Sequence, residues 1–179
     1  MLLPPHHQLL TVGDARAVLA QARDDAPICA GVSLLLLAGL RPTEVEVLQV
    51  ADYRPDTRQL AIRASRRPRV IRIAPTAGTA LDAYLKTQST DPEDYLLPEL
   101  SSTRLVQLVR GVAAAAGVGA GVHDLRRAAI DAVLDDGAPV AHVEHYFGLA
   151  VAPRDRKGLT APPEGYDAGI AAVLEQVFA

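Results

Sequence analysis

From Pro27 to Ala38 the chain reads PICAGVSLLLLA, with Ser33 as its one hydroxyl-bearing side chain. A helix that is apolar on every side cannot lie on a surface, so other elements must enclose it. The helix is therefore expected to be buried on nearly all sides, and 179 residues are long enough for one domain with a proper core. The chain is 49% hydrophobic, only 4% aromatic and without Trp, so its core is made of small aliphatics, which favours helices.

Gly39 ends the buried helix. Pro42 suits a turn ahead of another helix, and Thr43 with Glu46 predicts a capping box opening a third one, with Val45 and Leu48 inward. Arg41 is thereby held in a tight turn between two buried helices, with the restricted freedom that a phosphate clamp needs. Upstream, Ala15, Val18, Leu19 and Ala22 fall on one stripe of a first helix.

Apolar residues alternate with arginines over Gln59–Ala64 and Val70–Ile73, which predicts a β-hairpin turning near Ser65–Pro68. Leu60, Ile62 and Ala64 face one way and Arg63 the other. A helix is expected over Pro75–Thr87, a polar loop over Ser89–Pro98, and another helix beyond Ser101 carrying Leu105, Leu108, Val109 and Val112. Gly117, Gly119 and Gly121 follow a helix rather than a strand, which argues against a dinucleotide site.

The stretch His123–Gly148 reads HDLRRAAIDAVLDDGAPVAHVEHYFG. Leu125, Ala129, Ala132 and Val133 share one helical face, and Gly137 stops that helix. Val140, Val143 and Phe147 mark a second, shorter helix ending at Gly148. His123 and Arg126 are three residues apart, one turn along one face at a helix start, where a cation beside a proton-transfer group suits a phosphate. The final helix, from Tyr166, carries Ile170, Val173, Leu174, Val177 and Phe178 on one stripe and must dock on its own core or on a neighbour's.

The segment His123-x-x-Arg126, with Gly137 and Gly148 at their intervals, resembles the second conserved box of the tyrosine recombinases, the phage-integrase family. Gly39-Leu40-Arg41-Pro42-Thr43-Glu44 looks like the first box. Type IB topoisomerases share the catalytic architecture, but the G-L-R-x-x-E wording favours the integrases. The resemblance runs from Leu10 to the end and covers the catalytic half. It implies a mainly α fold with a small antiparallel β-sheet (α+β) and one integrase-like catalytic domain over residues 1–179; the family's N-terminal core-binding domain is expected to be absent, since only 40 residues precede Arg41.

By that resemblance, Arg41 and Arg126 stabilise a phosphorane-like transition state, His123 assists proton transfer, and Tyr166 attacks a DNA phosphodiester to give a 3′-phosphotyrosine. Glu44, Gly137 and Gly148 are structural. No cofactor or metal is implied; the partners are double-stranded DNA and, through the C-terminal helix, another copy. Tyr166 is preferred because Tyr53, Tyr84 and Tyr95 precede the second box and Tyr146 lies inside it as a packing residue. Tyr166 arrives late in the family's spacing, which an insertion over Arg154–Pro163 accounts for. Two positions depart from the family. Leu149 stands where it has His or Trp, and the hairpin turn carries Arg66 and Arg67 where it has a lysine. The expected function is therefore DNA breaking and rejoining with weakened activity. The alternative is a degenerate module that binds DNA or assembles without cleaving.

Net charge is −3, yet Arg54, Arg58, Arg63, Arg66, Arg67, Arg69 and Arg72 face a single acid, Asp56, within one short segment. Such a local ribbon can meet a phosphate backbone on an acidic protein. Of these, Arg66, Arg67, Arg69 and Arg72 are the expected DNA contacts. The single cysteine, Cys29, fits a reducing interior as a small buried hydrophobe. No stretch reaches the ~20 apolar residues of a membrane span, and the start lacks the layout of a signal peptide, so a cytoplasmic location without membrane contact is expected. His142 and His145, with Glu144 between them, and His6-His7 match no metal motif and read as surface histidines.

Overall fold

A computed structural model describes residues 10–88, 91–149 and 162–179. Among the described residues, eight α-helices run α1 (Val12–Gln21), α2 (Ala26–Leu37), α3 (Pro42–Val45), α4 (Pro75–Leu85), α5 (Ser102–Ala115), α6 (Val122–Asp135), α7 (Val140–Phe147) and α8 (Tyr166–Phe178). Three strands, β1 (Tyr53–Arg54), β2 (Gln59–Ile62) and β3 (Arg69–Arg72), form one antiparallel sheet in that order.

The centre is α2. Asp25 caps it by accepting the Ile28 backbone N–H at 3.1 Å, and Pro27 occupies the first turn, where its missing donor costs nothing. Leu34, Leu35, Leu36 and Leu37 have no exposed surface, and α1, α4, α5, α6 and α8 all pack around the helix. Shortening one of these leucines to alanine costs about 2–5 kcal/mol by transfer and cavity terms. Thr11 and Asp14 close the capping box of α1, and Ser101 caps α5.

Helix α3 starts earlier than its sequence predicts. Arg41 is the N-cap, Pro42 is the first helical residue, and Glu44 rather than Glu46 reaches back to a backbone N–H, that of Arg41, at 2.9 Å. The reason is Pro42, whose fixed φ suits the first helical position, so the cap moves ahead of it. The hairpin turns where expected, but β1 adds a third strand, pairing Tyr53 with Leu60 and Arg54 with Gln59. Leu60 and Ile62 are buried as expected, whereas Ala64 is exposed in the turn beyond β2. No described helix is long and apolar enough to cross a membrane.

Candidate active site

The site grows from the α2–α3 turn, the end of α7 and the β2–β3 turn. Gly39 lies at φ 61, and a Cβ there would run into the ring of Phe147. Only glycine allows this close approach. It brings the Gly39 carbonyl to Arg126, which rises from α6 and donates from Nη1 to it and from Nη2 to the Phe147 carbonyl. Arg126 is 8% exposed, with its guanidinium 5.9 Å from the centroid of the Phe147 ring. Burial, then the charge of Arg41, lowers its pKa to about 10, so it stays a cation at neutral pH.

Arg41 donates from Nη2 to the Gly148 carbonyl at 2.9 Å and from Nη1 to Glu44 at 3.2 Å. Its side chain remains 39% exposed. It lines a cleft of about 440 Å³ with Thr43, Glu44, Ala64, Ser65, Arg66, Arg67 and Gly148. Arg66 is exposed and Arg67 half-buried at its rim. The cleft thus has three cations at one mouth, an arrangement suited to an anionic oxygen.

Glu44 anchors this assembly from below. Its carboxylate accepts from Arg69 (2.9 and 3.2 Å), from the Ser65 hydroxyl at 2.8 Å, and from Arg41. Burial pushes its pKa up, but hydrogen bonds from Arg69, Arg41 and Ser65 and the Arg69 charge outweigh that and hold it at about 2. Arg69 therefore does not join the outward basic ribbon. Its side chain is 1% exposed, paired with Glu44 and donating from Nε to the Tyr146 carbonyl at 2.8 Å. The sequence carried a signal for this: Ile71 and Ile73 face inward, and a strand's period of two puts Arg69 on the same side. Ser65, by contrast, carried none, since only the fold brings it to Glu44.

The other expected residues are spread around this centre. His123 is exposed near the start of α6, and its side chain makes no hydrogen bond with a described residue. Arg72 is exposed but lines a different cavity, with Arg58 and Glu175, beside α8. Gly137 (φ 86) and Gly148 (φ 59) end their helices in the left-handed region. Leu149 packs half-buried against the core. Tyr146 is fully buried, donating to the Arg72 carbonyl at 2.9 Å. Tyr166 begins α8, and its ring rests against His142 and His145. Burial, then the Asp167 charge, pushes its phenol up to about 12. His6, His7 and most of the expected insertion lie outside the described residues. Among the described residues, no cluster of His, Cys, Asp and Glu is arranged to hold a metal.

Compared with solved structures, the chain matches XerA recombinase with a TM-score of 0.73 and 22% identity, over 96% of this chain and 65% of that one. It matches the integrase from mycobacterium phage Brujita with a TM-score of 0.72 and 15% identity, over 99% of this chain and 60% of that one. The fold is that of the tyrosine recombinases. The chain spans less than two thirds of either protein. No family model matches the sequence, and no curated protein does. The mainly helical fold with its small antiparallel sheet is thus the tyrosine recombinase catalytic-domain architecture expected from the two boxes.

Proposed function

We propose that this chain is a DNA breaking-and-rejoining domain of the recombinase type. One observation carries the reading: Arg41 and Arg126, from widely separated segments, hang from the consecutive carbonyls of Gly148 and Phe147 beside a cationic cleft. A DNA phosphate docks in that cleft, held by Arg41 and Arg126, with Arg66 and Arg67 on the adjoining backbone. Tyr166 attacks phosphorus, its oxygen forms the new P–O bond and gives up its proton by way of His123 or solvent, and the bond to the 5′ oxygen breaks as that oxygen takes up a proton. His123 takes part in proton transfer. Binding the developing charge by preorganised guanidinium groups is the main catalytic term.

Activity is weakened. Arg66 and Arg67 attract a phosphate but do not readily release a proton to a leaving oxygen. Leu149 offers no side-chain donor, and one such loss costs about 100-fold or more. The test is a nicked duplex that traps covalent protein. Wild type forms an adduct that Tyr166→Phe does not.

The placement of Tyr166 against α7 favours a second reading, a recombinase-fold module that binds DNA without cleaving it. In that case neither protein forms an adduct, and both bind duplex with a steep salt dependence. The apolar stripe of α8 is spent on this chain's own core, with Ile170, Leu174 and Phe178 buried, so the self-association kept in the proposal would use the outer face of α8 and is read by sedimentation.

A further inference from the structure

Tyr166 is not among the residues lining the arginine cleft, and its own surroundings are specific. Its ring centroid lies 5.4 Å from that of His142, tilted at 56°, and 5.4 Å from that of His145, edge-on at 84°. The two histidines are three residues apart on α7, so they present neighbouring rings on one face. The Tyr166 hydroxyl is enclosed and has no hydrogen-bond partner among the described residues. Enclosing a hydroxyl without a partner is unfavourable, so the ring contacts must hold the phenol where it is. Asp167 fixes the start of α8 alongside, accepting the Arg72 backbone N–H at 2.6 Å.

We propose that His142 and His145 are positioning residues for Tyr166. Their rings form a cradle that seats the phenol with its hydroxyl shielded, and the phenol must leave that cradle to reach a phosphate held by Arg41 and Arg126. The catalytic consequence rests on Tyr166 being the nucleophile; the cradle does not. Leu149, at the end of the same helix, supplies no ring, and both histidines are free of the metal arrangement that would otherwise explain them.

The test is nitration by tetranitromethane in DNA-free protein, read residue by residue by peptide mass spectrometry. Tyr95, 57% exposed, is the reactive control, and Tyr146, fully buried, is the protected one. In wild type, Tyr166, half-buried with its hydroxyl enclosed, nitrates more slowly than Tyr95 and faster than Tyr146. Removing an aromatic contact in His142→Ala or His145→Ala raises the Tyr166 rate roughly three- to tenfold, the factor such a pair is worth. His145→Phe, which keeps a ring, restores protection. On the trapping duplex, the alanine variants change the single-turnover rate of adduct formation while DNA affinity holds, whereas a general folding defect lowers both.

Nitration of wild-type Tyr166 at the Tyr95 rate overturns the proposal. So does an unchanged rate in both alanine variants whose circular dichroism is native. A shift in nitration with no adduct from any protein keeps the cradle and removes Tyr166 as the nucleophile.

Discussion

Arg69 and Glu44 meet inside the protein as a two-point ion pair, Nη1 to Oε1 at 2.9 Å and Nη2 to Oε2 at 3.2 Å. Both side chains are almost fully enclosed, and the pair joins β3 to the α2–α3 turn that carries Arg41. Breaking a buried pair by removing one partner leaves an uncompensated charge. Arg69→Ala is therefore expected to lose about 3–5 kcal/mol of stability, read as a lower urea midpoint. An exposed arginine such as Arg66 changes that midpoint by less than about 0.5 kcal/mol.

The same pair sets a pH dependence. The folded pKa of Glu44, about 2, lies below the ordinary value of 4.5. A depressed carboxylate pKa contributes stability that is complete above the unfolded value and disappears as pH falls through the folded one. Thermal melts between pH 6 and pH 2 are expected to show that loss setting in below about pH 5 and continuing toward pH 2. Glu44→Gln, measured by the same melts, starts lower and has a flatter profile over that interval.

Gly148 and Gly137 both sit in the left-handed region, but their surroundings differ. A Cβ at Gly148 would stand 2.6 Å from Arg69 Nη1, whereas nothing lies within 4 Å of one at Gly137. Gly137→Ala is expected to cost about 1–2 kcal/mol, the backbone strain alone. Gly148→Ala costs more, because the Arg69 guanidinium must also shift away from Glu44. Urea titrations of the two variants rank them.

On DNA, the arginines at the cleft mouth and the enclosed one part company. If Arg66 and Arg67 each meet a phosphate, the double alanine variant reduces the slope of log K against log salt by about 2, roughly 0.9 per contact. Arg69, which has no outward surface, leaves the slope unchanged when replaced. Fluorescence anisotropy on a labelled duplex across a salt series measures both.

What the sequence disclosed follows from where each signal lives. The enclosure of α2 was legible because its apolar run is nearly unbroken, and the eight residues Ala30–Leu37 are indeed buried. Arg41 and Arg126 were legible through the resemblance of their segments to the two recombinase boxes, with the glycines at their intervals as support. The start of α3 was misplaced by capping-box spelling, since Thr43 and Glu46 fit the pattern as well as the true pair but ignore the pull of Pro42 toward the first helical position. At two residues, β1 was too short to show any alternation. The seating of Tyr166 on His142 and His145 was hidden because it depends on how α8 docks on α7, a contact between separate helices that no local pattern encodes.

The carbonyls of Phe147 and Gly148 belong to successive peptide units at the end of one two-turn helix, and each steadies a different guanidinium. Both cations thus share one peg, beside their separate anchors on Gly39 and Glu44. A tug on α7, whether from heat or from the chain that leaves it, displaces the two together. The geometry of the two guanidinium groups is therefore coupled through the last turn of one short helix.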